Sequence, residues 1–285
     1  VRTLGNGFWV IVSQMAVMIG NGADLLVIAA VLGPAIVTPY TITDKLVTMA
    51  NNVPLMIMAA AQPALSELST RATRLRLSDV CVSLTRVVLL VSGLIAIVVV
   101  VVDQGFVGWW IGPHEFGGRG LVYLLVADMV LGHWAAATAY ALFSFGYERL
   151  ISIASILGWV VMVGGTVLFS HHFGSMGAPL ASIGSRVLIA LPILLFAAAR
   201  ATGGTVKGLL WSVFPWLWRL GLLMAAAVWV TRVWVPRSIV ALCGAGAAAV
   251  LVYAVVMAPL AFYEPLGSYT RPRFAALRRR IGQGA

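Results

Sequence analysis

The stretch RVVLLVSGLIAIVVVVVDQGFVGWWIGP, Arg86–Pro113, decides the fold class. Between Val87 and Val102 it holds a single polar side chain, Ser92. A barrel strand would alternate apolar and polar residues, and this run does not. A membrane-spanning helix needs about 20 mostly apolar residues. The run from 87 to 110 supplies them, and Ile111-Gly112-Pro113 stops it.

The rest of the chain repeats the pattern. It is 61% hydrophobic and 10% charged, with a mean hydropathy of +0.99. A soluble domain carries about a quarter charged residues. Backbone groups in lipid must be satisfied internally, which leaves helices. The expectation is an all-α, polytopic membrane protein of about eight spans: 8–32, 40–64, 87–110, 120–144, 151–170, 178–199, 215–235 and 238–262. Gly33-Pro34, Phe145-Gly146, Phe173-Gly174 with Gly177, and Val235-Pro236 punctuate it. Residues 207–216 read as an interfacial lead into the seventh span. Pro54 and Pro215 read as helix kinks or starts. The chain divides into a six-helix bundle (1–200), two further helices (201–262) and a basic tail (263–285). No short h-region with a small-residue cleavage site marks a signal peptide.

Lys and Arg set the orientation. Fourteen fall at one set of loops and span ends, among them Arg149, Arg200, Lys207 and Arg219; four fall at the other, Lys45, Arg119, Arg232 and Arg237. The positive-inside rule then predicts that both termini are cytoplasmic. It also accounts for the formal charge of +10 without a nucleic-acid partner. The tail RPRFAALRRR suits anionic membrane lipid. Cys81 and Cys243 have no metal-ligand or disulfide spacing. His171 and His172 read as solvated, as do Asp103 and Glu115 near span ends.

Three ionisable groups fall inside spans: Asp24, Asp128 and Arg186. A charge at mid-bilayer costs about 2.5–3.5 kcal/mol on insertion scales, so each must be sheltered. Gln14, Asn21 and Asp24 share one face of the first span. Asp44, Thr48 and Asn51 share one face of the second, flanked by Lys45 and Asn52. The bland reading is an internal ion pair of Arg186 with Asp24 or Asp128. The functional reading is a polar, substrate-binding cavity built from Arg186, Asp24, Asn21, Gln14, Asp128 and Asn51. A guanidinium fork suits the oxygens of a phosphate or carboxylate. His133, five residues after Asp128, lies on another face. No nucleotide-binding, zinc-protease or nucleophile-elbow motif is present, so neither an enzyme nor a bound cofactor or metal is expected.

Two segments carry a resemblance. The first runs from Gln14 to Leu68. In it an acidic residue (Asp24) opens an apolar run, Leu32-Gly33-Pro34 closes it, Tyr40 through Lys45-Leu46 opens the next helix, and Pro63-Ala64-Leu65-Ser66 ends the pair. The second, FGSMGAPLASIGSRVL, Phe173–Leu188, holds a G-x-x-G-A-x-x-A turn. Both are similar to Wzx-type polysaccharide flippases of the MOP exporter superfamily.

The resemblance implies one lobe of a two-lobed transporter plus two extra C-terminal helices, with the first lobe missing from a fragment or supplied by a partner. It implies alternating-access export of a lipid-linked oligosaccharide, a polyprenyl-pyrophosphate glycan, in the bacterial cytoplasmic membrane. Arg186 is outside the family pattern, so its role rests on its position alone. A MATE-type small-molecule exporter coupled to H⁺ or Na⁺ is the alternative. A non-transporting scaffold for glycan-synthesis enzymes is the third.

Overall fold

A computed structural model describes residues 22, 24–71 and 74–262. Among these residues the fold is all-helical, without strands. The basic tail and most of the first expected span, including Gln14 and Asn21, lie outside the described residues. Helix α1 covers 24–32, and a tight turn at Pro34–Ile36 leads into α2, Val37–Arg71. Then come α3 (Arg74–Trp110), α4 (Arg119–Ser144), α5 (Glu148–Phe173), α6 (Gly177–Ser185), α7 (Leu191–Thr202), α8 (Val206–Val233) and α9 (Ile239–Met257).

Among the described residues, five helical stretches are long and apolar enough to cross a membrane: Leu77–Trp110, Arg119–Ser144, Glu148–Thr202, Val206–Val233 and Ile239–Leu260. The protein is therefore a polytopic helical membrane protein. Five differs from the eight expected for physical reasons. The first expected span is described only at its end. The second, α2, has 35 residues, but Asp44, Lys45, Asn51, Asn52 and Gln62 dilute its hydropathy. The fifth and sixth run together in the 55 residues of Glu148–Thr202.

That stretch folds back on itself. At Gly174 the backbone takes φ 59°, ψ −138°, which an L side chain rarely adopts. The returning arm is α6, joined to α7 by one π-type turn, Arg186–Ala190. Pro192 supplies a reason for the turn: it has no N–H to continue the ladder. Small residues let the arms close. Gly165 meets Ala181, and the Ser185 hydroxyl donates to the Gly158 carbonyl at 2.6 Å.

Helix α3 lies at the centre. Helices α2 and α4 pack on it, and so do α8 and α9, which touch each other less than they touch α3. The main core joins Leu89, Ala96 and Val100 of α3 to Leu125 and Met129 of α4, Trp216 and Leu220 of α8 and Tyr253 of α9. Trp216 Nε1 donates to the Tyr253 hydroxyl at 3.3 Å, which donates to the Leu90 carbonyl at 2.7 Å. Residues 201–262 thus share one core with the bundle before them.

Several expectations are corrected. Residues 207–216 are continuous with α8, and Pro215 lies inside that helix. Arg219 sits near the middle of α8, not at a span end; its Nη1 is buried without a hydrogen-bond partner, and its guanidinium stacks 5.4 Å from the Trp218 ring. Asp103 is not solvated: it is 0% exposed. Both cysteines are free thiols.

Candidate functional site

The site is built where α4 meets the α6–α7 arm. Asp128 lies near the middle of α4, with Gly132 one turn on. Arg186 opens the π-type turn just after Ser185, whose hydroxyl ties the arm to α5. Its guanidinium reaches across to α4. Nε donates to Asp128 Oδ1 at 2.6 Å and Nη2 donates to Oδ2 at 3.1 Å. This is the bidentate fork that arginine favours with a carboxylate. Gly132 makes room for it, since a Cβ there would stand 2.8 Å from Nη1. The Arg186 side chain keeps 34% of its surface exposed and Asp128 19%.

Asp24 joins this pair at longer range. It is half-buried, within Coulombic range of Asp128 and Arg186, and among the described residues its Oδ1 has no hydrogen-bond partner. Tyr40, 4% exposed, lies within Coulombic range of Asp24, Asp44 and Asp128. Asp44 Oδ2 accepts from the Thr48 hydroxyl at 2.6 Å. The cluster therefore gathers two carboxylates, Asp24 and Asp128, around one guanidinium, with Asp44 within Coulombic range of both acids.

His133 faces another way, as its spacing from Asp128 predicts. It is 1% exposed and bridges three helices. Nε2 lies 3.1 Å from the Asn51 carbonyl of α2, and Nδ1 lies 2.8 Å from the Ser92 hydroxyl of α3. A carbonyl only accepts, so Nε2 carries the hydrogen; in the neutral ring Nδ1 then accepts from Ser92. The backbone of Asn51, not its amide, is what this contact uses. Arg86 Nε likewise donates to a helix carbonyl, that of Ser212 in α8, at 3.0 Å. Ser92→Ala should lower stability by about 1 kcal/mol, the scale of hydrogen bonds between membrane helices. Thermal unfolding in detergent would read this, and an unchanged melting temperature would refute it.

The chain matches no family model, no curated protein and no solved structure. Any functional reading therefore rests on the arrangement of these residues.

Of the six residues singled out from sequence, the structure brings Asp24, Asp128 and Arg186 together. Asn51 contributes a backbone oxygen nearby, and Gln14 and Asn21 lie outside the described residues. Sequence reading missed Ser92, Gly132 and Pro192. Pro192 was visible as a breaker within an apolar run. Ser92 and Gly132 carried no signal, because their importance comes from the helix opposite.

The outer surface is uneven. Helices α8 and α9 expose Leu222, Trp229, Val240, Leu251 and Val255, as lipid-facing helices do. Helix α2 instead exposes Lys45, Thr48 and Asn52 alongside Met49, Val53 and Met56.

Proposed function

We propose that this chain is one lobe of a two-lobed, alternating-access exporter of the MOP type, with two additional C-terminal helices and eight crossings. The proposed cargo is a lipid-linked oligosaccharide of the polyprenyl-pyrophosphate class. The proposed setting is a bacterial cytoplasmic membrane, with both termini inside.

One observation carries this reading: the exposed polar face of α2. A face bearing Lys45, Thr48 and Asn52 is costly against acyl chains, so it suits a water-filled cavity or a second lobe. The charge cluster lies in the same bundle. In this reading Arg186 is the cation for a pyrophosphate, and Asp128 holds its fork in register until substrate arrives. A pyrophosphate that takes the guanidinium from Asp128 would leave that carboxylate, with Asp24 in range, open to a coupling ion. Uptake and release of a coupling ion would then be linked to the head group.

A specific observation also favours a second reading, a cation-coupled exporter of small molecules. Two carboxylates, Asp24 and Asp128, outnumber one guanidinium in the cluster, and a net-negative site suits cationic cargo. The scaffold reading predicts that neither Arg186→Ala nor Asp24→Asn changes leaflet translocation at constant protein level. The exporter readings predict that both do.

The cavity itself is tested by thiol labelling in native membranes, with Cys81 and Cys243 replaced by serine. Thr48→Cys and Asn52→Cys should react with a membrane-impermeant maleimide, while Val252→Cys on α9 should not. Equal inertness at all three positions would remove the cavity.

A further inference from the structure

Asp103 lies on α3, two turns before Trp110, and touches neither Asp128 nor Arg186. It is 0% exposed, and among the described residues neither carboxylate oxygen has a hydrogen-bond partner. The titratable group within Coulombic range of it is another acid, Asp44 of α2. Among the described residues, no donor at this end of the bundle is hydrogen-bonded to Asp103. Arg119, at the start of α4, donates through Nε to Gln104 Oε1 at 2.7 Å. The Gly117 N–H donates to the buried Thr43 hydroxyl at 2.8 Å. On the connection between α8 and α9, the Pro236 carbonyl crowds Gly105, and Arg237 is exposed.

An ionised carboxylate cannot rest there. Moving such an ion into a low-dielectric interior costs on the order of 20 kcal/mol in the ideal limit, and several kcal/mol after relaxation. Among the described residues no donor offsets that cost, and a second carboxylate adds to it. The charge must be neutralised by something bound to the carboxyl. Among the described residues no three His, Cys, Asp or Glu side chains are grouped to hold a metal ion. A proton needs only the carboxyl.

We propose that Asp103 is a proton-carrying carboxylic acid, distinct from the Asp24–Asp128–Arg186 cluster, and that it gives up its proton when α2 moves off α3. The O–H bond breaks, the proton passes to entering water, and the carboxylate is then solvated. Separation from Asp44 favours the same step. Any movement of α2 against α3 thereby exchanges one proton at Asp103. The inference does not depend on the exporter reading.

Infrared spectroscopy of the purified full chain at neutral pH tests it. Isotope-labelled aspartate should reveal a protonated carboxyl C=O band in the unsubstituted protein. Asp103→Asn should remove one carboxyl's component of that band while keeping the melting temperature, because the amide resembles a neutral acid. Asp44→Asn should shift the band without losing it. A labelled protein with no protonated aspartate band would overturn the proposal, as would a band whose shape and intensity Asp103→Asn leaves unchanged. A melting temperature raised by sodium chloride but not choline chloride, with the effect lost in Asp103→Asn, would overturn it too and assign the site to sodium instead.

Discussion

Asp128→Ala is expected to destabilise the protein by about 3 kcal/mol, the lower end for breaking a buried ion pair from one side. The lower end applies because Arg186 retains a third of its surface (34% exposed). The loss comes less from the missing attraction than from a guanidinium left inside the membrane without its bidentate acceptor. The double variant Asp128→Leu with Arg186→Met removes both charges and should be more stable than Asp128→Ala alone. A double-mutant cycle read by thermal unfolding in detergent would measure the coupling. A coupling energy near zero would mean that the fork between α4 and the α6–α7 arm holds nothing together. Function should respond differently. Arg186→Lys keeps the charge but loses the planar fork, so translocation should fall even if the fold survives.

Gly177→Ala should have an effect of similar size through packing alone. A Cβ at this position would collide with the Ser170 amide nitrogen and the Phe169 carbonyl carbon. Both are backbone atoms, which cannot swing away as a side chain can. The hairpin would have to splay near Gly174. Overpacking of this kind costs about 1–3 kcal/mol, occasionally more. The distant consequence is specific: the arm that carries Arg186 is set by the same closure. Gly177→Ala should therefore weaken the coupling between Arg186 and Asp128 as well as lower the melting temperature. Ala178→Ser, one residue along, is the control for a change in volume at this turn. If Gly177→Ala melts with the native protein, the close approach of α5 and α6 is not as tight as their backbones indicate.

The membrane character and the turns were legible because they are local. Glycine and proline act on their own peptide units, so Gly112, Gly146 and Gly174 marked real helix ends. Helix lengths were less legible. The polar start of α3 at Arg74 and the start of α8 at Val206 continue helices beyond their apolar stretches. Hydropathy locates what lipid requires, whereas a helix runs on until its ladder is broken. The same gap misplaced Arg219, whose helix begins well before the apolar stretch it interrupts.

Sequence alone determined that the chain is helical, apolar and membrane-bound, and that Asp24, Asp128 and Arg186 require shelter. Hydropathy, turn chemistry and the cost of a charge in hydrocarbon depend on residues near one another along the chain. Tertiary structure decided which acid Arg186 grips, why Gly132 faces it, and how His133 links Ser92 to the Asn51 carbonyl. It also decided that Asp103 is enclosed. Those facts belong to pairs of helices, and spacing within one helix sets which face a residue occupies but not what stands opposite.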